Sequence, residues 1–306
     1  MVPLKLEVWG GLASQLSSLA YASWLLTNTN REVHLRHHPQ GTTDRQFEIP
    51  DLVSALDSSD RLHLVSTKPN GRIASRNSRN ILSRITRKIN NQVQRKISPL
   101  HINQIAIDHS HLAKVKRWTI SVNGYPLDWE LIQSQVSHIK HCIDSSSRVN
   151  FLSNAGSEDF LAVHWRLGDY LGHPAARMTH GIIGPAGIRN GISSLRLGTS
   201  VPIVVFTDSI ETARRGLEQI SISNPIEYRS GDIWDDLVGM SRGRWFLGSH
   251  SAVSVWAAIA IFSSNPKAEI RLPSVWYKKP PKGISNIPLP AFPKYDPELT
   301  IDSSIF

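Results

Sequence analysis

The chain opens with LKLEVW at 4–9, which alternates apolar and polar positions as a half-buried strand does, and then meets Gly10-Gly11. LASQLSSLAYASWLL follows at 12–26, with Leu12, Leu16, Leu19, Ala20 and Ser23 on one close-packed helical face. VHLR at 33–36 is a short strand. Strand, glycine turn, helix and strand in that order predict the opening of an α/β unit. WTISVNGYP (118–126) predicts a strand entering a turn, and LDWELIQSQVSHIKHCI (127–143) a helix. SSSRVNFLSNAGSED (145–159) is rich in Ser, Asn and Gly, so the domain boundary is placed there, at 150/151.

Beyond it the pattern becomes regular. FLAVHW (160–165) is a continuous apolar strand of the kind buried in a parallel sheet, and VPIVVFTD (201–208) is a second. SIETARRGLEQI (209–220) predicts a helix capped by Ser209, and DIWDDLVGMSRG (232–243) another. RWFLGS (244–249) is a strand, SAVSVWAAIAIF (251–262) a helix and AEIRLP (268–273) a last strand. This alternation predicts an α/β protein built on doubly wound parallel sheets. Two such units, 1–150 and 151–279, imply a cleft between them, with ligands beyond the carboxyl ends of the strands. The proline-rich tail, 280–306, is expected to wrap the surface in extended form.

Composition narrows the class. The longest nearly apolar run, 252–262, has 11 residues, whereas a bilayer span needs about 20. MVPLKLEVWG lacks a basic segment followed by an apolar one, so no secretory signal is expected. The single cysteine, Cys142, excludes an intrachain disulfide and fits reducing surroundings. A cytoplasmic protein, soluble or peripheral on the inner face of the membrane, is the resulting expectation.

The net charge of +9 is local. Residues 61–107 contain no Asp or Glu and carry ten bases: Arg61, Lys68, Arg72, Arg76, Arg79, Arg84, Arg87, Lys88, Arg95 and Lys96. The other 24 bases face 25 acids, so the rest of the chain is nearly neutral. Ile81, Ile85, Ile89 and Val93 predict an amphipathic helix with basic flanks inside this insertion. An anionic membrane surface, a phosphate-bearing acceptor and nucleic acid all fit it, as does a merely solvated face. Aromatic residues are absent from 61–107, which weakens the case for base stacking and hence for nucleic acid.

Four segments carry chemistry. In HWRLGDY (164–170), His164 and Arg166 are two apart on an extended strand and point the same way, with Gly168 and Asp169 just beyond. They read either as an anion clamp, Arg166 forking onto a phosphate and His164 bonding a sugar hydroxyl, or as an Arg166–Asp169 ion pair closing a turn. Gly10-Gly11, with Ser14 and Gln15 in the first turn after it, is a phosphate-attracting helix start or a packing turn. GSHSAVSVW (248–256) gathers Ser249, His250, Ser251 and Ser254 at another helix start, for donor contacts or ordinary capping. Asp208 ends a strand, where it can accept from a base or ribose, or cap the next helix.

No G-x-x-x-x-G-K-[ST] or D-x-D is present. Histidines at 34, 37 and 38, at 109 and 111, and at 138 and 141 have metal-like spacing but no recurring ligand set, so no metal is expected.

Taken in order, these segments resemble the bacterial α-1,2-fucosyltransferases, glycosyltransferase family 11 within the fucosyltransferase superfamily. GGLASQLSSLAYA (10–22) is similar to that family's G-G-L-G-N-Q-[LM]-F-Q-Y-A, and NGYPLDWELI (123–132) to G-Y-F-Q-S-x-x-Y-F. HWRLGDY is similar to H-x-R-R-G-D-Y, VVFTDSIETAR (204–214) to F-S-D-D-x-x-W, and LPSVWY (272–277) to A-P-x-x-W-F. HGIIGPAGIRNGISSL (180–195) resembles the Y-Y-x-x-A-I helix, and DDLVGMSRGRWFLGSHSAVSVWAAIA (235–260) the long serine-rich motif. Departures fall at Ala13, Ser14, Leu167, His250, Ala252, Val253 and Val255.

The resemblance implies the GT-B architecture, two Rossmann-like domains facing a cleft, with no metal or other cofactor. It implies GDP-L-fucose as donor and inverting transfer to a galactoside hydroxyl of a glycan, a lipid-linked one included. By position, Arg166 holds the pyrophosphate, His164 the ribose or phosphate, and Asp208 lies near the guanine. Ser249, Ser251 and Ser254 lie beside the phosphates, while Gly10, Gly11 and Gln15 face the reaction centre. Asp169 is the candidate base, with His173 behind it. A nucleic-acid-binding protein without catalysis, and a transferase-like protein with another donor or no turnover, are the competing expectations.

Overall fold

The computed structural model describes residues 3–8, 10–37, 47–56, 61–65, 101–103, 120–123, 128–145, 155–279 and 290–306. The chain forms two compact units, Met1–Ser146 and Ser147–Phe306.

Unit 1 contains β1 (Leu4–Val8), α1 (Leu12–Asn28), β2 (Val33–His37), α2 (Pro50–Leu56), β3 (Leu62–Val65), β4 (His101–Asn103), β5 (Ile120–Asn123) and α3 (Trp129–Ser145). Its sheet runs β3-β2-β1-β5-β4, with every pairing parallel. Leu4, Leu6, Val33 and Leu35 turn one face of β1 and β2 into the core, whereas Lys5 and Arg36 stay exposed. The helix α1 follows at once because Gly10 adopts φ 77°, a left-handed turn that a side chain disfavours. It packs on α3, where buried Ser23 donates to Gln135 Oε1 at 2.8 Å.

The basic stretch enters this sheet at both ends. β3 and β4 lie within 61–107, so the segment is not simply an insertion. Arg61, the first of the ten bases, is used internally: its guanidinium donates to the Leu26 and Thr29 carbonyls, each at 3.1 Å, at the end of α1. Those carbonyls lack helical partners, and a cation there also complements the helix dipole. The expected helix around Ile81–Val93 lies outside the described residues.

Unit 2 contains β6 (Glu158–His164), α4 (Gly168–Gly172), α5 (Pro174–His180), β7 (Ile182–Ile183), α6 (Pro185–Ser193), β8 (Ile203–Phe206), α7 (Ile210–Glu218), β9 (Ile226–Arg229), α8 (Ile233–Arg242), β10 (Gly243–Leu247), α9 (Ala252–Ser264), β11 (Glu269–Pro273), β12 (Lys294–Tyr295) and β13 (Leu299–Thr300). Its main sheet has six strands, all parallel, in the order β12-β11-β10-β6-β8-β9. Counted within the unit, that is the 3-2-1-4-5-6 order of a doubly wound Rossmann sheet, reversing between β6 and β10. The expected α/β class is present in both units. Leu161, Val163, Trp165, Ile203, Val205 and Leu247 form the core. α9 is apolar nearly all round and correspondingly buried from Val253 to Ile261.

The expectation for the tail needs correction over 290–306. β12 extends the main sheet beside β11, and β13 pairs antiparallel with β7. Phe306 places its ring 5.7 Å from that of Trp165. Apolar Phe292, Tyr295 and Phe306 make packing into the unit more favourable than an extended surface path. Residues 280–289 lie outside the described residues.

Candidate functional site

In an open parallel sheet, ligands bind beyond the strand carboxyl ends where the order reverses. In unit 2 that point lies between the ends of β6 and β10. β6 delivers His164 and Arg166 there; the loop after β10 delivers Ser249, His250 and Ser251.

The backbone after β6 is held so that alternate side chains separate cleanly. Trp165 N donates to Phe206 O at 2.9 Å, extending the ladder one residue beyond the strand. Trp165 and Leu167 are fully buried in the core, and Trp165 Nε1 donates to Ile183 O at 2.8 Å. His164 and Arg166 therefore point the other way. Leu167, which stands where the resembling family has a second arginine, is a core residue here.

Asp208, at the end of β8, fixes the turn. Its Oδ1 accepts from the backbone N–H groups of Leu167 and Gly168, each at 2.8 Å. A Cβ on Gly168 would lie 3.1 Å from the Asp208 carboxylate, so the close approach favours glycine. One Asp208 oxygen thus fixes the 167–168 turn, and Ser209 is the N-cap of α7.

Arg166 is gripped by Asp169: Nε donates to Oδ1 at 2.9 Å, and Nη2 bonds Oδ2. This fork is the ion-pair alternative of the sequence analysis. It uses two of the five guanidinium N–H groups. The two side chains remain 26% and 28% exposed, so the pair sits at the surface of the site. Burial acts to lower the Arg166 pKa, but the Asp169 hydrogen bond and the nearby Tyr170, Asp169 and Asp208 outweigh it. The guanidinium is a permanent cation.

His164 and the serines form one buried cluster. His164 Nδ1 lies 2.6 Å from Ser254 Oγ and 3.4 Å from Ser249 Oγ, and the two hydroxyls are 3.3 Å apart. Ser254 Oγ also accepts from Ser249 N at 2.9 Å. Burial, aided by Arg166 and opposed by Asp208, lowers the His164 pKa to about 4, so the ring is neutral near pH 7. Ser251 is the N-cap of α9 without a side-chain cap bond. The loop is braced from below by Tyr295, whose hydroxyl donates to Gly248 O at 2.9 Å.

A second layer escaped sequence reasoning. Tyr170 stacks on His250 and on His180, with ring centroids 5.1 Å apart in each case. His180 continues the contact to Tyr277 at 5.0 Å. The Arg166 guanidinium carbon lies 5.5 Å from the Tyr170 ring centre. Desolvation lowers the pKa of His250 to about 3 and of His180 to about 4, so the stack is neutral. One signal was available: Tyr170, His180, His250 and Tyr277 each lie within a segment carrying the family resemblance.

Unit 2 therefore brings together His164, Arg166, Asp169, Asp208, Ser249, Ser251 and Ser254. Gly10, Gly11 and Gln15 belong to unit 1. Gln15 is fully buried. Its Nε2 donates to Gly10 O at 3.0 Å and its Oε1 accepts from Glu48 N at 2.8 Å. An amide bonded at both ends in this way braces the chain around Gly10 and Glu48. Asp169, the candidate base, holds Arg166 through both carboxylate oxygens. His173 is exposed, and its backbone N–H bonds Asp169 O at 3.0 Å.

Residues 130–267 match the sequence model of glycosyl transferase family 11. A comparison with curated proteins finds no match. Among solved structures, the chain is similar to fucosyltransferase NodZ from Bradyrhizobium, at 15% identity over 84% of this chain and 93% of that one, TM-score 0.42. It is also similar to a family 9 glycosyl transferase from Veillonella parvula, at 13% identity over 89% and 80%, TM-score 0.38. POFUT1 in complex with GDP-fucose is similar at 12% identity over 96% and 97%, TM-score 0.38.

Proposed function

With residues 130–267 identified as those of a glycosyl transferase family 11 protein, we propose that the chain is a metal-independent, inverting α-1,2-fucosyltransferase. It moves L-fucose from GDP-fucose to a galactoside hydroxyl of a glycan. The acceptor oxygen forms the new bond to the anomeric carbon as the bond to the diphosphate breaks on the opposite face. The acceptor's proton leaves to solvent or a base, and GDP departs with the bonding pair.

The observation that carries this reading is Arg166 at the reversal point of the Rossmann sheet. It is a permanent cation held partly exposed by Asp169 and Tyr170. In the proposed complex its remaining N–H groups meet the β-phosphate as negative charge grows on the leaving group. The N–H groups opening α9, beside Ser251, add neutral donors to the same anion. His164 stays neutral and directs a hydrogen bond to the donor without adding charge. Asp169 acts as a positioning residue for Arg166. Asp208 shapes the donor site through the 167–168 turn.

The basic stretch between β3 and β4 supports a lipid-linked acceptor at an anionic membrane surface. No helix among the described residues is long and apolar enough to cross a membrane. The ten bases of the stretch make the proposed attachment electrostatic. Binding to anionic vesicles is then expected to weaken as salt rises.

The test is a donor screen on the full chain. Thermal shifts are measured with GDP, UDP, CDP and dTDP compounds, followed by GDP release from GDP-fucose with a galactoside. Stabilisation by GDP alone and acceptor-dependent release support the proposal. Preference for another nucleotide, or tight salt-dependent nucleic-acid binding without GDP binding, overturns it.

A further inference from the structure

A second cluster of chemically capable side chains lies in unit 1, at the amino-terminal edge of its sheet. Gly10-Gly11 marks the opposite, carboxyl edge. Glu32 and His34 are two residues apart where the chain enters β2, so both side chains project from one face. Glu32 O accepts from Leu4 N at 2.8 Å, which carries the parallel pairing back to this residue. His63 on β3 is the direct cross-strand partner of His34, so it shares that face. His34 Nε2 lies 3.6 Å from Glu32 Oε2, and the two imidazoles meet edge to face at 5.1 Å between centroids. One ligand atom from each of the three residues lies within 4.8 Å of the other two.

We propose that Glu32, His34 and His63 form a surface site for a divalent transition-metal ion of the zinc class. Two imidazole nitrogens and one carboxylate oxygen are the donor set that zinc accepts, with water completing a tetrahedron. Bond lengths of about 2.0–2.2 Å require only a small closure of the three side chains. The backbone already supplies the template, an i, i+2 pair on one strand and a lateral neighbour on the next.

Lys5 is the partner of His34 on the β1 side. Its ammonium repels a divalent ion, which makes Lys5 a tuning position. A bound ion would clip the incoming end of β2 to β3 at the edge of the sheet. This role is separate from sugar transfer, so its test does not rely on turnover.

The experiment is calorimetric titration of the metal-free full chain with Zn²⁺, and the same titration of E32Q, H34Q and H63Q. Absorption with Co²⁺ and melting curves with and without Zn²⁺ accompany each. We expect one tight equivalent in the parent, a Zn²⁺-dependent rise in melting temperature and a visible Co²⁺ spectrum. In each variant that equivalent weakens at least about tenfold, and both the spectrum and the rise in melting temperature disappear. K5A is expected to bind more tightly than the parent. The proposal is overturned if the parent binds no tight equivalent, or if any folded variant keeps the parental affinity. Glu32 and His63 are exposed, so E32Q and H63Q keep the test decisive should H34Q fail to fold.

Discussion

Replacing Asp169 by Asn separates two roles that one carboxylate can play beside Arg166. The native fork has two bonds, Nε to Oδ1 at 2.9 Å and Nη2 to Oδ2. Asparagine offers one acceptor oxygen and no charge, so at least one charge-assisted bond is lost. Such bonds contribute about 1.5–3 kcal/mol each. The pair is about one-quarter exposed, which places the expected loss towards the lower end of that range. About 1.4–2 kcal/mol corresponds to roughly 10- to 30-fold. GDP affinity and kcat/KM for GDP-fucose are expected to fall together by that factor, because both depend on where the guanidinium is held. Calorimetry with GDP gives the first quantity, and a GDP-release assay between pH 5 and 9 gives the second. The pH profile should keep its shape, since a positioning residue moves no proton. A fall of several orders of magnitude in kcat, with unchanged GDP affinity and a lost acid limb, would refute this reasoning and restore Asp169 as the base.

Three further outcomes follow from the same geometry. Asp208→Ala leaves the Leu167 and Gly168 N–H groups without their carboxylate, and should cost about 1.5–3 kcal/mol, read as a lowered denaturation midpoint with weakened GDP binding. A denaturation midpoint equal to the parent's would contradict the turn-fixing role. Between pH 6.5 and about 4, the unfolded chain binds protons that buried His164 and His250 and half-buried His180 refuse. Their contribution to stability is therefore fully present above pH 6.5 and lost as pH falls, at up to about 1.4 kcal/mol per unit for each histidine. His250→Phe should flatten the fall of melting temperature between pH 7 and 5, and an unchanged slope would count against burial of a neutral ring. Ser254→Ala removes the hydroxyl shared by His164 Nδ1 and Ser249 N, and should lower transfer more than tenfold, measured as initial rate at saturating donor. An unaltered rate would show that the cluster is only structural.

Long apolar strands and amphipathic helices were legible because burial dictates their pattern. FLAVHW, VPIVVFTD and RWFLGS lie within a residue or three of β6, β8 and β10, and the helices at 12–28, 210–218 and 252–264 match closely. β3, β4 and β9 were not anticipated. Each has three or four residues, and β9 alternates half-buried Ile226 and Tyr228 with exposed Glu227 and Arg229, so pairing rather than local pattern defines it. At the candidate site, the i, i+2 geometry of His164 and Arg166 could be read directly from strand periodicity. What periodicity could not decide was how Asp169, Asp208 and Gln15 spend their polar atoms. Each has equally plausible local and ligand partners, and only the tertiary fold chooses between them. The stack of Tyr170 on His250 joins residues 80 positions apart in sequence, beyond the reach of any local rule.

The central claim is that one guanidinium at the end of β6 neutralises the departing diphosphate. Its most direct measurement is acceptor-dependent GDP release by Arg166→Ala at saturating GDP-fucose, with circular dichroism to verify the fold. Loss of one such donor is expected to lower the rate about 100- to 1,000-fold, or about 2.7–4 kcal/mol, in a protein that remains folded. A folded Arg166→Ala protein that turns over at the parental rate would contradict the account.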